Sequence, residues 1–244
     1  MQTSTISLVI PAFNESAYLP RLLATVKVAR DRFKLGADCV EVIVADNGST
    51  DDTVPLAIDA GCRVAHADLR CIAAARNAGA AAAHGEVICF VDADSQIHPE
   101  TFNVVFDLMQ RRDIIGGATG VTPERWSAGI AITYAMFFLA VAATRIDTGL
   151  VFCRREDFKK IGGYDERMRF AEDVRFHVDM WRLGRKRGAR LVRASIVKSI
   201  FSTRKFDKFG DWHYVPLLLK APWYLLSRRA GEGLAERYWY APGR

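Results

Sequence analysis

Two kinds of hydrophobic run alternate along the first part of the chain. Four are short: ISLVI at 6–10, VEVIVA at 40–45 and EVICFV at 86–91 are nearly unbroken and rich in β-branched residues, and CRVAHA at 62–67 is a more polar run of the same length. Runs of this length predict strands buried on both faces. Helices are expected between them, near 16–30, 52–60 and 71–83. The last reads CIAAARNAGAAAA, whose alanines favour helix and allow close packing on a sheet. Strand and helix taken in turn, with short connections, imply right-handed crossovers. The expected fold is therefore α/β, a Rossmann-like, mostly parallel sheet covered by helices on both faces. Such sheets open a ligand crevice beyond the carboxyl ends of their strands.

The residues at those ends are polar. The first strand runs into PAFNES, the second into DNGSTDDT and the fourth into DADS. Pro11 rigidifies the first exit, and Ser16 can cap the helix that follows. Gly48, Ser49 and Thr50 build a turn leading to Asp51 and Asp52. Capping alone explains Asp52, and it also accommodates Ser49 and Asp51. Asp46 stands where the second strand stops, so its carboxylate can accept hydrogen bonds from a base imide or a ribose hydroxyl in the crevice.

Asp92 and Asp94 follow the apolar run VICFV. In extended chain, residues two apart share a face and lie roughly 7 Å apart, so both carboxylates can address one divalent cation. Hard oxygen ligands suit Mg²⁺ or Mn²⁺, which take the rest of their shell from water and substrate phosphates. The ion offsets the repulsion between the carboxylates and can neutralise a diphosphate leaving group. Two aspartates at a strand exit can also simply start a turn.

Taken together, VIPAFNES, VIVADNGSTDDT, ARNAGAAAAHGEVICFVDADS and GGYDERMRFAEDVRFHVDMWRLG resemble the successive motifs of family 2 glycosyltransferases with the GT-A fold, over about residues 5–185. The resemblance implies that the first two motifs, with Pro11, Asn14, Glu15, Asp46 and Asp51, hold the nucleotide of a UDP- or GDP-linked sugar donor. It implies that Arg76 and Asn77 organise the donor pocket. Asp92 and Asp94 become the D-x-D pair, with Asp94 the more direct ligand of Mg²⁺ or Mn²⁺. It further implies metal-dependent hexosyl transfer with inversion, a single displacement that needs a base. Glu172 and Asp173 match the family's Glu-Asp motif. Asp173 is the expected base and Glu172 its orienting or acceptor-contacting neighbour, a placement compatible with both acids complementing a helix N-terminus. In DTGLVFCRREDFKKIGGYDE, Gly149 matches a glycine borne on a strand near the acceptor, while Gly162 and Gly163 are expected to end a helix through a left-handed cap. His177, on the helix face of Asp173, is expected to pack rather than to ligate. Arg204 and Lys205 match cations that cover a donor diphosphate or an acceptor phosphate. His213 is a weak candidate for a further metal ligand.

Charge changes the picture toward the end of the chain. Residues 1–181 hold 19 Lys/Arg against 24 Asp/Glu, and residues 182–244 hold 15 against 4. This suggests an anionic surface as partner, or simply a solvated basic face. Nucleic acid is not expected, since no groove-reading or base-stacking motif accompanies the cations. The stretch 128–144, AGIAITYAMFFLAVAAT, would be roughly 25 Å long as a helix, short of the ~30 Å hydrocarbon thickness. It is expected to be a buried helix, or else one shared with a membrane surface or a second subunit in a homodimer. The stretch from Trp212 onward mixes aromatics and leucines and continues to Arg228 and Arg229. It suits a helix at a bilayer interface, although Pro216 and Pro222 interrupt it. The expected organisation is one GT-A domain over 1–200 and a basic, aromatic extension over 201–244.

Five cysteines without a CxxC pair argue against a disulfide framework. With the polar opening of the chain, they lead to an expected cytoplasmic location, peripheral on the membrane if the tail binds it. The acceptor stays open between a lipid-linked and a soluble hydroxyl. Two other functional classes compete: a sugar-nucleotide nucleotidyltransferase, and a non-catalytic nucleotide-sugar-binding module at a membrane. The first would be expected to show a glycine-rich, basic phosphate loop, which PAFNES lacks. The intact Asp92, Asp94 and Asp173 set argues against the second.

Overall fold

The computed structural model describes residues 5–144, 147–220 and Gly233. In chain order, β1 (Ile6–Ala12), α1 (Leu19–Asp31), β2 (Val40–Asp46), α2 (Thr53–Asp59), β3 (Arg63–His66), α3 (Ile72–Ala82) and β4 (Val87–Phe90) form the expected alternation. They are followed by β5 (Ser95–Gln96), α4 (Thr101–Gln110), β6 (Ile114–Ala118), β7 (Val121–Pro123), α5 (Ala128–Thr144) and β8 (Val151–Arg154). The remaining described elements are α6 (Arg155–Ile161), α7 (Glu172–Lys186), β9 (Arg190–Arg193), β10 (Ser199–Phe201), α8 (Arg204–Phe209) and α9 (Tyr214–Leu219).

The main sheet runs β3-β2-β1-β4-β8-β6-β9. Its β3-β2-β1-β4 portion is parallel, and β8 alone runs antiparallel to its neighbours β4 and β6. Every residue of β1 is buried, because the two faces feed different cores. Ile6, Leu8 and Ile10 join Leu19, Leu22 and Val26 of α1 and Phe102 and Val105 of α4. On the opposite face Val9 joins Ile43, the alanines of α3, and Phe158, Phe176 and Met180 from α6 and α7. The small residues of α3 bring its axis close to the strands: a Cβ on Gly79 would stand 2.3 Å from Val9 Cγ1.

A second sheet, β5-β10-β7, is built from three very short strands. Antiparallel pairing of Ser95 with Phe201 brings the end of the Asp92–Asp94 segment beside the chain that continues to Arg204. Since β10 straddles residue 200, the following segment is tied to the domain through that strand.

Several local expectations are corrected. Ser16 caps nothing: α1 begins after Tyr18, with no side-chain cap. Asp52 occupies the cap position of α2 without a capping hydrogen bond, and Asp51 accepts from Thr53 N instead. Gly149 lies in a bend before β8 rather than on the strand. The expected burial of 128–144 holds for one side only. Ile130 and Val141 are buried, whereas Ile132, Phe138 and Leu139 are exposed. The left-handed helix end is present, with φ of 82° at Gly162 and 74° at Gly163. Among the described residues, no helix is long and apolar enough to cross a membrane. The part of the interfacial stretch from 221 to 232, with Arg228 and Arg229, lies outside the described residues.

Candidate active site

The β1–α1 and β2–α2 loops are laced together at the carboxyl ends of their strands. Asn14 adopts φ 52°, a conformation its short polar side chain tolerates, and its Oδ1 accepts from Thr50 N at 2.8 Å. The backbone N–H of Asn14 donates to Ser49 Oγ, that of Glu15 to Thr53 Oγ1 and that of Ser16 to Asp51 Oδ2. Asp46 is buried and accepts from Gly48 N and Ser49 N at 3.2 and 3.1 Å, with His66 Nδ1 3.5 Å away. Thus Asn14, Asp46 and Asp51 all shape the loop that the sequence marked for the nucleotide. Hydrogen bonds from Thr53 and Ser16 hold the Asp51 carboxyl at about 2, well below its ordinary range despite the opposing effect of burial.

The Asp92–Asp94 pair departs from the extended geometry expected of it. β4 ends at Phe90, and Ser95 N donates to Asp92 O, closing a turn that sends the two side chains to different cations. Asp92, 56% exposed at its side chain, accepts from Arg76 Nη2 at 3.1 Å. Asp94, 21% exposed, faces Arg204 Nε at 2.9 Å. Burial pushes the Asp94 carboxyl up, reinforced by the neighbouring charges of Asp92 and Glu15 and opposed by Arg204 and Lys205.

Each arginine bridges two acids. Arg204 places its two terminal nitrogens 2.7 Å from the two oxygens of Glu15, and its guanidinium lies 4.7 Å from the Tyr18 ring centroid. Arg76, nearly enclosed, donates to Glu172 at 2.9 Å as well as to Asp92, with its guanidinium 5.0 Å from the Tyr164 ring centroid. Asn77 next to it accepts from Tyr164 N and donates to Tyr164 O, anchoring the Gly-Gly-Tyr-Asp turn. The Glu172 carboxyl is raised by burial, with Arg76 opposing the shift.

Glu172 and Asp173 open α7 directly after Ala171, which is held at φ 57°. A non-glycine residue in this region costs of order 1 kcal/mol, and the turn it makes delivers both acids to the helix N-terminus. Asp173 Oδ1 accepts from Val174 N at 2.7 Å. Gly149 sits at φ 95°, where a Cβ would meet Gly120 O at 2.5 Å, so the bend before β8 calls for glycine.

His177, expected to pack on the helix face of Asp173, is buried and donates from Nδ1 to the Asp173 carbonyl at 2.9 Å. Two features escaped the sequence. Asp147, also buried, pairs with Arg193 at 2.5 Å. Arg70 stacks on Phe13 at 4.2 Å from its ring centroid. Neither belongs to a local pattern that would mark it. His213 packs against Phe206 and Tyr214 and donates from Nδ1 to Gly210 O. Among the described residues, no three His, Cys, Asp or Glu side chains gather as a metal-ligand set. The Asp92 and Asp94 side chains nevertheless fit Mg²⁺ or Mn²⁺ in chemistry, since both are carboxylates and supply hard oxygen donors.

A mostly parallel seven-stranded sheet with acids at the carboxyl ends of its strands, accompanied by a short second sheet, is a GT-A transferase fold. The family model for glycosyl transferase family 2 matches residues 7–187, and the chain belongs to that family. Among solved structures, Staphylococcus aureus TarS 1–349 with UDP-GlcNAc aligns with a TM-score of 0.61 at 18% identity, over 81% of this chain and 58% of that one. The mannosyltransferase PcManGT of Pyrobaculum calidifontis, with GDP-Man and Mn²⁺, aligns with a TM-score of 0.61 at 19% identity, over 81% and 56%. Among curated proteins, the undecaprenyl-phosphate 4-deoxy-4-formamido-L-arabinose transferase of Aeromonas hydrophila is 34% identical over 130 residues, 50% of this chain. A putative glycosyltransferase of Bacillus subtilis, EpsH, is 30% identical over 105 residues, 41% of this chain. The matched regions span 39% and 29% of those two relatives.

Proposed function

We propose that the chain transfers a sugar, with inversion, from a UDP- or GDP-linked donor to an acceptor hydroxyl, using Mg²⁺ or Mn²⁺ held by Asp94 and Asp92. The observation that carries this reading is the linkage of Asp92 and Glu172 through Arg76. It sets the acids at the exit of β4 beside those that open α7. When bound, the divalent ion supplies charge neutralisation to the departing diphosphate. Asp173 takes the proton of the acceptor hydroxyl as its oxygen bonds to the anomeric carbon and the bond to the diphosphate oxygen breaks. Glu172, tied to Arg76, orients the acceptor side. Arg204 and Lys205 cover the diphosphate, and the loops around Asp46 and Asp51 shape the nucleotide pocket. A membrane-borne, lipid-linked acceptor is the reading favoured by the basic end of the chain and by the Aeromonas relative, whose name carries an undecaprenyl-phosphate.

The test is product analysis. UDP- and GDP-sugars are screened by thermal shift with and without Mn²⁺, and the best donor is incubated with a polyprenyl-linked sugar, whose hydroxyls serve as acceptor. Release of nucleoside diphosphate and an inverted anomeric centre by NMR are expected, both lost on exhaustive chelation. Release of pyrophosphate would point to nucleotidyl transfer instead. Donor binding without turnover across lipid-linked and soluble acceptors would favour a binding module.

A further inference from the structure

Among the described residues, the outer face of α5 is apolar and exposed. Its exposed positions, Ala128, Ala131, Ile132, Ala135, Phe138 and Leu139, recur at three- and four-residue intervals, and the 17-residue helix carries no charge. A helix apolar on every side belongs in a core or in lipid. Here, among the described residues, the inner side reaches the core through Ile130 and Val141. The neighbouring helix α9, YVPLLL, packs against α5 without one buried residue of its own. Trp126, which precedes α5, and Trp212, which precedes α9, are exposed as well.

Charge identifies the occupant. Arg193 lies 5.3 Å from the Phe138 ring centroid, Lys198 Nζ is 3.5 Å from the Tyr134 hydroxyl, and Lys208 and Lys220 are exposed on α8 and directly after α9. The acids nearby are ion-paired, Asp207 and Asp211 with Arg125 and Asp147 with Arg193, so that with Lys198, Lys208 and Lys220 this group holds five cations against three acids and stays net positive. A second copy of this chain would set like charge against like, whereas an anionic bilayer supplies the opposite sign. Tryptophans, leucines and cations around an apolar stripe are also the chemistry of a lipid interface. We infer that the α5–α9 face docks flat on an anionic lipid surface. This goes beyond the reaction, because it assigns which side of the domain meets the membrane.

The experiment is flotation of the full chain with phosphatidylcholine vesicles, with or without phosphatidylglycerol, and no donor present. The protein is expected to float with the phosphatidylglycerol vesicles and to be released by salt. An Ile132→Ser/Phe138→Ser/Leu139→Ser variant should lose about tenfold or more of its partitioning while melting like the parent, since the three side chains are exposed. Lys208→Glu with Lys220→Glu should abolish the preference for phosphatidylglycerol. Failure of the parent to float, or flotation of the triple variant equal to the parent, overturns the assignment. So does a dimer, seen by light scattering, that the triple variant dissolves and vesicles leave intact. Because donor is absent, failure here and failure of sugar transfer are separate results.

Discussion

Arg204 stands with its Nε 2.9 Å from the Asp94 carboxylate. The cation occupies the place next to the acid where the proposed metal would bring its own charge. Pairing of β5 with β10 creates the contact, since Ser95 and Phe201 are partners and Asp94 precedes one of them.

Removing that cation leaves Glu15 and Asp94 with uncompensated charge in a largely enclosed setting. Arg204→Ala is expected to cost about 2 kcal/mol, below the full value for a buried pair because the arginine side chain is 23% exposed. Mn²⁺ should then raise the melting temperature of the variant more than that of the parent. Thermal melts with and without Mn²⁺ check this, and an equal response in both proteins counts against a metal at Asp94.

Asp173→Asn keeps the shape of the N-terminus of α7 but removes the proton acceptor. Turnover should fall about 100- to 10,000-fold, while the donor-induced thermal shift is retained. Nucleoside diphosphate release measured beside that shift separates the two effects, and undiminished turnover would reassign the base.

Asp51 gives a pH signature. Its folded-state carboxyl lies near 2 against an ordinary 3.8, so its contribution to stability is fully present above about pH 3.8 and is lost as pH falls through about 2. The melting-temperature gap between the parent and Asp51→Asn should therefore be constant near neutrality and shrink between those values. The gap is expected to reflect about 1 kcal/mol, discounted for the solvent-facing position of the carboxylate.

Gly149→Ala places a methyl 2.5 Å from Gly120 O at a φ of 95°. A loss of about 2 kcal/mol or more is expected from combined clash and backbone strain, read by urea denaturation. A neutral outcome would mean that the bend before β8 can rearrange.

Much of the fold was legible because its signals are local. A short, nearly unbroken run such as ISLVI, rich in β-branched residues, predicts a strand covered on both sides, and β1 is buried throughout. The alanines of α3 announced close packing, and Gly79 shows it. Asp92 and Asp94 were visible as chemistry, but their shared face was not observed. The chain leaves β4 at Phe90 and turns, so the period-two rule does not reach them. Asp51 rather than the preferred Asp52 accepts the backbone hydrogen bonds, because the choice depends on which carboxylate lies nearer Ser16 and Thr53, a matter of turn geometry that neighbouring identical residues do not reveal.

The amino-acid order alone determined the alternation of strands and helices, the polar strand exits and the sequence of motifs that mark the family. All of these follow from periodicity and residue type within a short window. Tertiary structure alone decided which cation serves which acid and which of the described residues of α5 are exposed. Arg76 meets Glu172, and Arg204 meets Glu15, across long stretches of intervening chain. Such pairings arise where short strands and helix ends converge, and no local sequence pattern encodes that convergence.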